Sequence, residues 1–137
     1  MLIGNNIYDT VNTGVPQMYG VREALSHLNF MGNVCPGAEL PVSIVKEQVP
    51  SASLPYHLEL ASQQPKTACF LILCDQTVVF IPLAPNYVLL VDSHCHGLSG
   101  AFVALCDLRY IYELLDWFKS INHFQYTLGT VTQLAFP

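Results

Sequence analysis

The sequence predicts an α+β fold, in which an antiparallel sheet packs on a central helix near the start of the chain and a second helix follows later. Three observations carry this. Met18, Val21, Leu25 and Leu28 recur at i, i+3, i+7 and i+10, the stripe of an amphipathic helix. Apolar runs rich in β-branched residues succeed one another between 67 and 92, divided by turn-forming residues. Leu108, Ile111, Leu115 and Phe118 then form a second helical stripe before an alternating, β-rich ending.

The stretch GNNIYDTVNTG (4–14) is polar and turn-rich and is expected as loop. Pro16 suits the first helical position, where its missing N–H would have had no intrahelical partner. Ala24 widens the stripe and Gly32 stops the run, so the helix is expected over about 16–30. Residues 33–66 contain five prolines (Pro36, Pro41, Pro50, Pro55 and Pro65), which keep elements short and leave at most one short helix around 53–62. Strands are expected over about 67–74, 76–82 and 86–92, and a fourth at 100–105. Asp107 stands where its side chain can accept from the open amides of the second helix. The final HFQYTLGTVTQLAF is expected as a strand or hairpin arm. Residues 67–91 are apolar enough to raise the question of a membrane span. Asp75, Gln76, Pro82, Pro85 and Asn86 interrupt them at turn-like places, so consecutive strands are expected instead.

A chain of 137 residues is one domain's worth, with no linker, repeat or low-complexity segment. Charged residues make up 11%, against about 25% in an average soluble protein, and hydrophobic residues 52%. So little charge implies an apolar face covered by a partner or by the rest of a longer chain. Five Lys/Arg against ten Asp/Glu leave a net charge of −5 and no basic stripe to neutralise phosphates, which argues against nucleic acid. A partner with a basic tail suits it better. The five cysteines, Cys35, Cys69, Cys74, Cys95 and Cys106, are odd in number and irregularly spaced, and read as reduced thiols of a cytosolic or nuclear protein. MLIGNNIYD lacks the basic region and apolar run of a signal peptide, so an intracellular location is expected.

The chemistry concentrates in VDSHCHG (91–97), at the end of an apolar strand. Side chains two apart on a strand share a face, so Asp92 and His94 are expected side by side. A carboxylate beside an imidazole fixes its tautomer, as in the base half of a triad, though the same spacing also makes a capped turn. His94 and His96 share a face that Cys74 or Cys106 can approach, but no CxxC or HExxH accompanies them, so neither a metal nor a cofactor is expected. His27, four residues after Glu23, reads as half of a solvated helix pair. His57 and His123 carry no signal, and Tyr110, Tyr112, Trp117 and Phe118 read as core or interface.

Taken with VDSHCH, the segment GVPQMYGVREALSHL (14–28) resembles the deubiquitinating domain of herpesvirus large tegument proteins, and proteases related to it. These are papain-like cysteine proteases. Their Gly-x-Gln-Cys opens the central helix, whose dipole lowers the pKa of the nucleophilic thiol. An Asp-x-His motif ends a later strand and supplies base and orienter, and a glutamine upstream of the cysteine serves the oxyanion hole. ACFLILCDQTVVFIPLAPNYVLLVDSHCHG (68–97) follows that family's order of strand, Asp, strand, turn, strand and Asp-x-His. Leu54 to Ala61 stands where the family has a short helix. The resemblance covers most of the chain, while 33–53 is shortened and unaligned.

This resemblance implies Met18 at the nucleophile position, where a thioether has no ionisable proton and forms no hydrolysable acyl intermediate. Asn6 (or Asn5) stands at the oxyanion position, a methylene shorter than glutamine, and an extra residue lies between Gly14 and Gln17. Asp92 and His94 match the orienter and the base. The expectation is a single tegument-deubiquitinase-like domain over 1–137 that is a pseudoenzyme, acting as a protein–protein interaction or scaffolding module. Ubiquitin or a ubiquitin-like protein is the partner the resemblance implies; other domains of a larger chain or a second copy are those the low charge implies. The alternative is an active ubiquitin-specific cysteine protease using another thiol. Against it, Cys35 reads as part of a Gly/Pro loop, Cys95 faces away from His94 on the strand, and Cys69, Cys74 and Cys106 read as core thiols.

Overall fold

The computed structural model describes residues 34–96 and 100–137. The helix expected over 16–30, together with Met18, Asn5 and Asn6, lies outside the described residues. Strand β1 (Cys35–Ser43) leads through a 3-10 turn at Pro50–Ala52 into helix α1 (Leu54–Ser62). Strands β2 (Thr67–Leu73), β3 (Gln76–Leu83), β4 (Tyr87–Asp92) and β5 (Phe102–Asp107) come next. A 3-10 turn at Leu108–Tyr110, helix α2 (Ile111–Asn122) and strand β6 (Leu128–Ala135) complete the order. The strands form one antiparallel six-stranded sheet in the order β1-β6-β2-β3-β4-β5.

Alternation along the strands sets which face is apolar and buried. Cys69, Leu71 and Leu73 of β2, Val78 and Phe80 of β3, and Val88 and Leu90 of β4 all turn to one side. There they meet Leu54, Leu58 and Ala61 of α1 and Ile111, Leu115 and Phe118 of α2 in one core. Each fully buried leucine or phenylalanine contributes about 1.5–3 kcal/mol through the water it sheds. Both described helices therefore cover the same sheet face. Ser53 does not cap α1 by side chain; its hydroxyl instead accepts from the Glu47 amide at 3.2 Å, tying down the loop after β1.

Strands β2, β3 and β4 lie where the apolar runs place them, and no helix among the described residues is long and apolar enough to cross a membrane. The β2–β3 turn is Cys74–Asp75, with φ of 49° and 63°, the left-handed pair that matches the twist of a tight hairpin. Pro82 lies inside β3, opposite Val88, at a level where β2 has already stopped pairing, so no ladder donor is lost. β5 begins and ends two residues later than its apolar run indicates, and Asp107 caps the adjoining 3-10 turn by accepting from the Arg109 amide at 2.9 Å. Leu108 belongs to that 3-10 turn and not to α2 itself.

Two expectations require correction. Residues 35–43 are a strand although Pro36 and Pro41 fall within it, because β1 is the outermost strand among the described residues, a position that tolerates residues without an N–H. Cys35 is thus on that strand and not in a loop. Cys74 is not a core thiol: it occupies the hairpin turn and is exposed, while Cys69 is buried and Cys106 half-buried.

Candidate functional site

β4 delivers Asp92 as its last residue, and the chain turns immediately afterwards. Asp92 is fully buried, and its side chain meets donors just beyond the strand end. Oδ1 accepts from the backbone N–H of His94 at 2.9 Å and faces His94 Nδ1 at 2.7 Å. Oδ2 faces His96 Nε2 at 3.0 Å. A carboxylate only accepts, so both facing ring nitrogens are the donors. His94 in its neutral form therefore keeps the lone pair on Nε2, the atom a general base uses. Its side chain is 35% exposed, against 11% for His96.

Strand alternation predicts Asp92 and His94 side by side on one face. The structure brings them together by a different route, a turn in which the carboxylate binds both the amide and the ring of the residue two ahead. His96 is the member the spacing did not assign. It takes the second carboxylate oxygen and is held from the other side by Phe102, ring centroids 5.0 Å apart, which in turn meets Trp117 edge-on at 5.0 Å. The available signal was Asp-x-His-x-His itself, which gives one carboxylate two imidazoles once the chain turns. Beside this arrangement lies a cavity of about 510 Å³ lined by His96, Phe102, Trp117, Ile121 and His123. A larger apolar cleft, about 670 Å³ and bounded by Phe70, Val79, Ile81 and Phe136, lies near the opposite end of β3 and touches none of these residues.

Both imidazoles spend a ring nitrogen on Asp92. Cys106 pairs with Val88, four positions along the ladder from the Asp92–Phe102 pair, and Cys74 Sγ faces the Tyr126 carbonyl at 3.9 Å. Among the described residues, no group of three or more His, Cys, Asp or Glu side chains could hold a metal ion. Cys95 is exposed. Asp107 is a structural carboxylate: hydrogen bonds from the Arg109 side chain and amide hold it below the usual range.

A viral ubiquitin-specific protease shares this fold in part. It is the protease encoded by a murine cytomegalovirus tegument protein, solved in complex with a ubiquitin-based suicide substrate. The two superpose with a TM-score of 0.52 at 12% identity, over 74% of this chain. The match spans 45% of that protease, so this chain covers less than half of its length. At such identity the likeness is one of fold. No protein-family model and no curated protein sequence matches the chain.

Proposed function

We propose that this chain is a catalytically inactive, deubiquitinase-like domain that acts by binding a protein partner. The observation that carries the proposal is the Asp92–His94 pair at the end of β4, on a sheet shared in part with a viral ubiquitin-specific protease; Met18 is assigned to the nucleophile position by the sequence resemblance alone. In a papain-like enzyme a thiolate attacks the scissile carbonyl while the imidazole manages the proton and a third group orients the ring. Asp92 and His94 have the chemistry of the last two. A methionine cannot supply the first, because its sulfur has no proton to lose and a methyl group it cannot shed. Asn6 is proposed at the oxyanion position, where its shorter side chain moves the donor amide back.

What such a site retains is recognition. His94 Nε2 is left to accept a hydrogen bond from a docked chain. Ubiquitin or a ubiquitin-like protein is the partner proposed, and a basic tail complements the net charge of −5. Fluorescently labelled chain titrated with ubiquitin is expected to give saturable binding, weakened by His94→Ala. A flat titration to high micromolar ubiquitin would remove this partner.

A second reading rests on Cys95, an exposed thiol one residue after His94. If it served as the nucleophile the chain would be an active protease, and the reaction with a ubiquitin-based covalent probe would be lost in Cys95→Ser.

A further inference from the structure

β5 is one edge of the sheet, and among the described residues no strand lies on its outer side. Its ladder to β4 decides which backbone groups point outward. Leu108 N–H donates to the Asn86 carbonyl at 2.8 Å, one step beyond the Asp107–Tyr87 pair. Antiparallel partners exchange hydrogen bonds at every second position. Cys106, Ala104 and Phe102 therefore bond inward to Val88, Leu90 and Asp92, and Val103 and Leu105 direct N–H and C=O away from the sheet. Phe102, Ala104 and Cys106 pack against the core, so the side chains of Val103 and Leu105 stand on the other face. They are 64% and 62% exposed.

Among the described residues, the two outermost strands of the sheet differ. β1 carries Pro36, Pro41 and a register irregularity between Pro36 and Glu39, features that discourage further pairing. The run Phe102–Cys106 has no proline and no charge, and its register with β4 is unbroken. An edge of that kind is a template for another strand.

We propose that β5 is a homodimer interface, pairing antiparallel with β5 of a second copy so that Val103 of each chain lies opposite Leu105 of the other. The two-fold axis then passes through Ala104, and Val103 and Leu105 satisfy their outward N–H and C=O groups reciprocally. A second copy is the occupant because the strand is complementary to itself. Its outward-bonding residues coincide in this register, and no like charges meet across the axis, as they would if the strand were charged. The side chains of Val103 and Leu105 from both copies also gather on one face, where they extend the apolar row of Leu89 and Val91 on β4. Neither residue belongs to the Asp92–His94 pair, so dimerisation and ubiquitin binding are separable.

Sedimentation equilibrium of the full chain from low to high micromolar concentration is expected to show a monomer–dimer equilibrium. Val103→Pro removes an outward donor and leaves the β4 ladder intact; Val103→Lys keeps the backbone and adds like charges near the axis. Each is expected to weaken the dimer at least tenfold with an unchanged circular dichroism spectrum. Val103 is exposed enough that the lysine variant folds in any case. A wild-type chain that stays monomeric throughout, including one that takes up a strand from another protein instead, would overturn the proposal. So would a dimer that persists unweakened in folded Val103→Lys.

Discussion

Asp92 brings a carboxylate into a place closed to solvent and surrounds it with the His94 amide and the rings of His94 and His96. Burying a carboxylate is tolerable because each oxygen meets a donor. Asp92→Asn turns one acceptor into a donor that confronts a ring nitrogen, and is expected to cost about 1–3 kcal/mol in urea unfolding. The ring ¹⁵N signals of His94 should at the same time lose their single-tautomer pattern. The pair was legible in the sequence because Asp-x-His at the end of an apolar strand leaves few geometries. His96 was not, because residues four apart on a strand share a face but stand about 13 Å apart, out of reach of one carboxylate until the chain turns. The positions of Met18 and Asn6 rest on sequence alone, outside the described residues. Thiols give a further residue-level test. Burial pushes the Cys69 thiol from 9.0 up to about 12. The folded state thus holds this proton more tightly than the unfolded chain. Its contribution to stability is complete below about pH 9 and declines as pH rises toward 12, by at most about 4 kcal/mol. Urea midpoints measured from pH 8 upward should fall accordingly, and Cys69→Ala should flatten that decline. In native protein a maleimide should modify Cys74 and Cys95 rapidly and leave Cys69 untouched until unfolding.

The elements depend on close contact between strands as much as on the apolar core. A Cβ at Gly129 would run into the carbonyl oxygen of Ile72, where β6 passes β2. Gly129→Ala is therefore expected to destabilise the chain by about 1–3 kcal/mol, read from chemical denaturation, although it adds only a methyl group. Leu58→Ala, on the buried face of α1, should cost about 2–5 kcal/mol by leaving a cavity. Strands β2 to β4 and helix α2 could be read from the sequence because their alternation and helical spacing reflect burial on one face. β1 could not, since its prolines obey the rule for an edge, and nothing local shows that a strand will lie at an edge. Cys74 misled in a related way: it adopts a left-handed φ without being glycine or asparagine, so the apolar run reads as continuing through it, whereas Asp75 reads as the turn residue it is.

At the scale of the whole molecule, a six-stranded antiparallel sheet with both described helices on one face accounts for the partial likeness to a viral ubiquitin-specific protease. A charged fraction of 11% fits a domain that meets other protein surfaces, and the open edge at β5 offers one. The proposed inactivity is a chemical matter: Asp92 and His94 have the chemistry of orienter and base, and the residue assigned by resemblance to the nucleophile position, Met18, has no thiol. It is tested most directly by incubating the chain with a ubiquitin derivative carrying a thiol-reactive C-terminus and measuring intact mass. No adduct is expected on the wild-type chain, an adduct is expected on Met18→Cys with Asn6→Gln, and its loss is expected when His94→Ala is added. An adduct on the wild-type protein, or a folded Met18→Cys, Asn6→Gln variant that stays unmodified, would contradict it.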